Sequence, residues 1–540
     1  DASIRSFEQL GAYVPNFSVS ENAVNSIITM RGISIGANQS FEQSVGLFVD
    51  GVHYGRSRQT RLGLFDLEQI EVLRGPQGIL FGKNTLAGAV NIRTAAPKVG
   101  EGLSGRVAAS FESDSGEYFE GHISGSLTDN FAVRLAVMDR SIDGYNKNSS
   151  PNAVNPNMPA TDETIVRLGA QWEPSEATSV ALRYTYSDFL RTGSTGTVTK
   201  FGPTVVNGAP LVPASNAAMY AVMGFAFPGF QESTTDAYRD GLSIGGNEAL
   251  GSDGTGRLDG TDTENHEFSL NIEHEFGNGM TLNLVTGVSQ FEFEDGIDAD
   301  FLPVRFIGRS DNQEYEQFSQ EIRLASDLDG RFSWVAGGNY IDSKQEIDRM
   351  VSVDGTFGQP AITSLITGGL PTILAYNPAQ LAGAEASFGL PAGSLPVGTE
   401  GLTMWSQVGR LSAWQQETES WAVFLQGTFN ITDNLSITAG VRYTEEEKSA
   451  DAQTWLNSTA QGLATKTVDP LTGVLTAGDF GNFLQQSLQG AFFDSYAHHF
   501  IEDRDTDQTI PAVSLNWTPS DDHLLYASYS EGFKSGGFNA

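Results

Sequence analysis

The chain has 540 residues, with 66 acidic side chains against 31 basic ones and a formal net charge of −35. So large an acidic excess excludes a nucleic-acid binder, which needs a basic face. Cysteine is absent, which excludes a disulfide framework, a thiolate nucleophile and a cysteine metal site. The length exceeds one ordinary soluble core, so several domains or one very large barrel are expected. No run approaches ~18 consecutive apolar residues, so no helix is expected to span a membrane.

In chain order, 7–10 is predicted as a short helix, ended near Pro15. Strands are predicted at 17–19, 26–31 and 45–50, the last running into an Asp50-Gly51 hairpin turn. Between them lie two polar and aromatic loops, 34–43 and 53–62. The stretch 64–94 organises the first unit. It reads as a strand (69–73), a tight turn (Arg74-Gly75-Pro76), a loop punctuated by Gly78 and Gly82, and a second strand (89–93). Glycine recurs where backbone must turn or approach another backbone closely. Residues 1–98 therefore read as a small mixed α/β unit wedged into a confined space.

From Gly105 the pattern changes. Phe131, Val133, Leu135 and Val137 alternate with Ala132, Arg134, Ala136 and Met138. Leu435, Ile437, Ala439, Val441 and Tyr443 alternate with small and polar residues, and 268–272 and 421–425 behave alike. Period-two alternation puts one face of a strand in apolar surroundings and the other in polar ones. Short turns at 127–130, 174–177, 277–279, 327–330, 432–434 and 520–522 alternate with long connections, above all 192–264, 346–416 and 449–504. Short on one side and long on the other is the pattern of a transmembrane β-barrel. About thirteen barrel strands are expected over 99–540. Bacterial barrels have even strand counts, so an odd count ending in SEGFKSGGFNA predicts that this chain stops short of closing its barrel.

The ordered pieces ITMRG (28–32), VGLFVDGV (45–52), IEVLRGP (70–76), FG (81–82), GAVNIR (88–93) and YASYSEGFKSGGFN (526–539) resemble the TonB-dependent outer-membrane receptors. The resemblance covers the whole chain. It implies a mainly β protein, a small mixed α/β plug inside a large antiparallel transmembrane barrel of ~22 strands, of which about nine would lie beyond this chain. It implies a bacterial outer-membrane location among lipid, and active uptake of a scarce small-molecule nutrient driven through TonB with ExbB and ExbD. The family's TonB box lies ahead of the plug, and the chain begins too close to the plug to show one. A ferric siderophore is the leading expected ligand, with no resident cofactor. Cobalamin, haem, an oligosaccharide or an aromatic compound are alternatives within the same mechanism.

The resemblance also implies that Arg31 and Arg74 pair with barrel glutamates and hold the plug, since arginine pairs carboxylate through a planar fork. Glu71 and Glu531 are candidate partners; a static structural ion pair is the competing reading. Tyr54, Arg56, Arg58 and Arg61 sit on a loop expected at the top of the plug, where arginines could attract an anionic ligand or pair with acidic barrel loops. Phe225, Phe227, Trp405 and Trp414 lie in long connections and offer rigid contact area for a planar ligand or for loop packing. Trp421 is expected at the membrane interface. Asp295, Asp298 and Asp300 could hold Ca²⁺ through carboxylate oxygens, though a solvated acidic loop is the default. No catalytic motif is present: there is no nucleophile elbow, zinc-helix motif or phosphate loop. The rivals to transport are a passive surface binder or adhesin with a permanent plug, and a barrel enzyme.

Overall fold

The computed structural model describes residues 4–540 except 22–25, 37–38, 62, 152, 195, 200–204, 207–208, 211–223, 225, 234–235, 240–258, 305–306, 328–329, 354–407, 459–497 and 521. The first unit opens with helix α1 (Phe7–Leu10), whose N-cap Ser6 accepts a hydrogen bond from the Gln9 amide. Strands β1 (Phe17–Glu21) and β2 (Ser26–Met30) pair antiparallel. Strands β3 (Val45–Val49), β4 (Val52–Tyr54), β5 (Leu67–Arg74) and β6 (Gly88–Thr94) form a sheet in the order β4-β3-β6-β5. Its one parallel pair is β3 with β6. Asp50 and Gly51 both take positive φ (51° and 88°), the mirror-image turn that the twist of a two-residue hairpin requires. Phe7, Leu10, Phe17, Ile28, Met30, Val45, Leu47, Val90 and Ile92 close into one apolar core.

The second unit is a thirteen-stranded antiparallel sheet, the number expected. Its strands are β7 (Ser104–Glu112), β8 (Gly116–Thr128), β9 (Phe131–Ile142), β12 (Ala160–Ser175), β13 (Thr178–Thr192), β17 (Gly260–Glu275), β18 (Thr281–Asp298), β19 (Ile307–Ala325), β20 (Phe332–Val353), β21 (Val408–Thr432), β22 (Leu435–Ser458), β23 (His498–Ser520) and β24 (His523–Ser530). Short strands lie in the connections: β10 (Asn146–Asn148), β11 (Asn157–Met158), β14 (Val205–Val206), β15 (Ala209–Pro210) and β16 (Asp236–Ala237). The large sheet runs in chain order from β7 to β24, so every pairing within it is between sequence neighbours of the sheet.

The register shows what the alternation achieves. Leu135, Leu168, Tyr184, Phe268, Val288 and Phe318 lie in one cross-strand row over six strands. Leu135, Leu168 and Phe318 are all solvent-exposed. One residue along, Arg167, Thr185, Glu267, Ser289, Gln317, Ser343, Thr418 and Lys448 form the row on the opposite face. The sheet is thus apolar outside and polar inside, the reverse of a soluble core and the arrangement that a bilayer demands. Trp421 is on the outer face beside Tyr443, with ring centroids 5.5 Å apart.

Strands β20, β21 and β22 run well into stretches read from the sequence as loops. The segment EEEKSADAQTW at 445–455 lacks an apolar face yet lies within β22. Its small and charged residues still alternate, and ladder hydrogen bonds to β21 and β23 carry it. The first unit touches the inner face of strand after strand: Arg5 reaches Glu112, Asp66 reaches Arg134, Asp50 reaches Arg183, and Lys83 reaches Glu446. The sheet therefore curls around a plug.

Candidate functional site

Plug and wall meet through polar contacts and through an apolar cluster of plug Phe65 with wall Tyr118, Ala136, Met138 and Ile165. Wall side chains donate to plug backbone carbonyls: Arg167 to Phe65 (2.8 Å), Asn271 to Asp50 (3.1 Å), Gln317 to His53 (2.9 Å), Arg323 to Leu80 (3.1 Å) and Arg442 to Ile79 (3.4 Å). The fit is close where small residues allow it. A Cβ on Gly78 would lie 2.3 Å from Ile510 Cδ1 and 3.1 Å from the Glu531 carbonyl, so a larger residue there would have to displace the Ile510 side chain. A cavity of about 30 Å³ lies beside Phe48, His53, Phe81, Lys83, Asn339 and Arg442, room for roughly one water.

The centre of the seam is a closed ring of four buried charges. Lys83, from the plug loop, pairs with Glu42 at 3.4 Å and with Glu446 of β22. Lys448 of β22 pairs with Glu446 at 3.0 Å and with Glu42 at 3.6 Å. Each cation thus touches both carboxylates. Asn84 donates to Glu42 (2.6 Å) and accepts from the Ser535 amide (3.0 Å), while the Ser535 hydroxyl donates to Glu446. Burial opposes charge on Glu42, but Lys83 and Lys448 together hold its carboxyl well below the ordinary range. Burial also opposes charge on Lys83, and Glu42 and Glu446 overcome it, raising its ammonium above the ordinary lysine value. Neighbouring His53 has the opposite fate. Burial first, then the Lys83 and Arg56 cations, outweigh Glu42 and push its imidazole down to about 4, so it is neutral at pH 7.

The arginines expected to meet a ligand are engaged elsewhere. Arg58 is 1 % exposed; it pairs with the Asp295 carboxylate, donates to Thr261 Oγ1 (3.4 Å) and lies over the Phe293 ring. Arg56 is equally buried and donates to the Ser40 carbonyl at 2.8 Å. Tyr54 is buried, and burial first, with Glu267 second, raises its hydroxyl well above its usual value. The loop after β4 thus packs against the wall, because Asp295 offers an acceptor inside the lumen. The side chain of Arg61 lies outside the described residues, as do Phe225 and Trp405. Phe227 meets Tyr238 edge-on at 6.4 Å. Trp414 is buried on the inner face of β21 against Ile347 and Ala452.

Arg31 and Arg74 are both exposed, and among the described residues neither side chain makes an ion pair with Glu71 or Glu531. Glu71 accepts from Gln69 and Asn91 at 3.0 Å each, within the plug, and Glu531 accepts from Tyr529. The three aspartates weighed for Ca²⁺ are separately occupied. Asp295 is neutralised by Arg58, Asp298 lies 3.9 Å from Arg239, and Asp300 accepts from the Leu302 and Ile307 amides. Among the described residues no three potential ligands converge on a metal position.

A plug pinned by polar contacts inside a sheet of this polarity identifies the architecture, and the family comparisons agree. The model for the TonB-dependent receptor plug domain matches residues 1–89, and that for the TonB-dependent receptor-like β-barrel matches 213–540. The chain belongs to the TonB-dependent receptor family. That is a family of outer-membrane proteins, and the apolar outer face suits it. The pesticin receptor of Yersinia enterocolitica is 37% identical over 99 residues, which is 18% of this chain and 14% of that protein. The ferric yersiniabactin uptake receptor FyuA of Yersinia pestis aligns over all of this chain and 63% of its own, with 16% identity and a TM-score of 0.68. The ferric-catecholate import receptor Fiu of E. coli K12, in its open form, aligns over 99% of this chain and 68% of its own, with 14% identity and a TM-score of 0.63. The receptor chain thus spans about two thirds of the length of these structures, and at these identities the likeness is one of fold.

Proposed function

We propose that this receptor takes up a scarce nutrient across the outer membrane with energy supplied through TonB, ExbB and ExbD, and that the nutrient is an iron chelate. The observation that carries the reading is the seam. Many of the side-chain contacts that hold the plug against the wall are ion pairs or hydrogen bonds. Such contacts can be exchanged for water, so the plug can rearrange within the barrel. An apolar seal would have to expose its core to do so. Binding energy alone cannot drive uptake against a gradient, so an external energy source is required. The iron-chelate assignment is supported by the fold neighbours, named as receptors for ferric yersiniabactin and ferric catecholates.

Growth of a deletion strain on iron-depleted medium with single ferric chelates tests both parts. Rescue by the full-length gene, lost when TonB is also deleted, is the expected result. Rescue that survives TonB deletion removes the energised step. Absence of rescue by every chelate, with receptor present at the surface, removes the iron assignment.

A further inference from the structure

The plug meets the wall differently on its two flanks. On the first, Phe65 packs with Tyr118 of β8, Ala136 and Met138 of β9 and Ile165 of β12, all of them buried. The fit beside it is tight: a Cβ on Gly63 would lie 2.9 Å from Met138 Cε and 3.1 Å from Ile165 Cδ1. Asp66 pairs with Arg134, and Arg167 donates to the Phe65 and Asp66 carbonyls at 2.8 and 3.2 Å. The chain also leaves the plug on this flank, and only residues 95–103 separate β6 from β7. That linker is pinned near both ends. The Ala95 amide donates to the Asp66 carbonyl (2.9 Å), and the Ser126 amide of β8 donates to the Glu101 carbonyl (3.0 Å).

The second flank faces β19 to β22. Here Gln317 and Arg323 of β19 and Arg442 of β22 donate to the carbonyls of His53, Leu80 and Ile79, and Lys83 pairs with Glu446. Packing is incomplete at this place. The cavity of about 30 Å³ separates Phe48, His53 and Phe81 of the plug from Ser319, Asn339 and Ser420 of the wall. His53 Nε2 lies buried beside it and, among the described residues, has no hydrogen-bond partner. Parting the first flank would expose apolar side chains to water and strain a short covalent linker. Parting the second exchanges hydrogen bonds for water and rehydrates the ring's charges, and the void gives water a place to enter. We infer that the plug pivots on the Phe65 flank, and that the passage for cargo opens on the other, between plug segments 48–53 and 77–86 and strands β19 to β22. The inference deepens the uptake reading and rests on it for there being a passage.

Because the chain has no cysteine, single introduced thiols report the two flanks. Ser420→Cys and Ala136→Cys are small changes at buried inner-face positions of β21 and β9, 4 % and 0 % exposed. Each is made in the full-length receptor in living cells, with TonB present or deleted. Ferric citrate, a ferric tris-catecholate and a ferric tris-hydroxamate are supplied together, and a small charged methanethiosulfonate reads the rate of thiol labelling. Ser420→Cys is expected to label roughly tenfold or more faster with TonB than without, while Ala136→Cys stays unlabelled in both. Faster TonB-dependent labelling of Ala136→Cys, alone or equally with Ser420→Cys, overturns the pivot. No TonB-dependent change at either position overturns the inference as a whole. The two readings fail separately. TonB-dependent growth on a chelate without asymmetric labelling removes the opening flank alone, whereas asymmetric labelling without growth on any chelate upholds it and removes the iron assignment.

Discussion

The two charged clusters of the lumen differ in how their charges pair. The ring of Glu42, Lys83, Glu446 and Lys448 has two cations and two anions, each pairing across plug and wall. Among the described residues, the cluster of Arg309, Arg349 and Arg410 has one carboxylate for three cations, and Arg410 makes no ion pair. A neutral, fully paired ring gains nothing from a further ion and loses much if any member is removed. The plug is fastened where charge closes.

The largest effect should come from opening the ring. Lys83→Met leaves Glu42 and Glu446 buried with Lys448 as their one ion-pair partner among the described residues, and is expected to destabilise the plug by about 3–5 kcal/mol. Protease accessibility of the plug against denaturant measures this in solubilised receptor. The double variant Lys83→Met/Glu446→Gln removes the stranded charge as well, and should recover more than half of the loss. If the double variant loses as much as both singles summed, the ring is not a coupled unit.

Acid should loosen the same region by a smaller amount. The folded His53 pKa of about 4 lies below its ordinary 6.5, so the unfolded chain binds more protons between those values. Stability therefore rises with pH through that window and falls on acidification from about 6.5 to 4, by roughly 3 kcal/mol for this group. Glu42, also held low, adds a loss in the same direction once pH drops below the ordinary carboxylate range. The plug's denaturant midpoint followed from pH 7 to about 4 reads mainly the histidine part, and His53→Asn should flatten that curve. A midpoint independent of pH would mean that His53 is hydrated rather than sealed.

How much of this was legible in the sequence depends on the distance over which the information acts. Alternation in 131–138 and 435–443 is local, and it announced both the barrel and its thirteen strands. The Asp50-Gly51 turn and the α1 helix are local too, and lie where expected. Charge alone singled out Arg56 and Arg58, but what Arg58 faces is Asp295, 237 residues away, and no local pattern contains that. Lys83 lay in the loop punctuated by Gly78 and Gly82, and no local pattern joins it to Glu446, 363 residues away. Arg309, Arg349 and Arg410 were invisible as a set because only strand register brings them together. The one available signal was that Arg309, Asp311, Gln313 and Tyr315 keep a two-residue spacing along β19, which puts them on one face.

The smallest effect sharpens the comparison most. Arg410→Gln removes a full charge from a half-buried position, and at the ring a change of that kind is costly. Here no described hydrogen bond is lost, and repulsion with Arg309 is relieved. The plug's denaturant midpoint should therefore move by no more than the equivalent of about 0.5 kcal/mol, in either direction. An unmoved stability is what separates a cation outside the fastening from a structural one. A drop as large as that of Lys83→Met would mean that Arg410 is a fastener too, and the distinction between the two clusters would collapse.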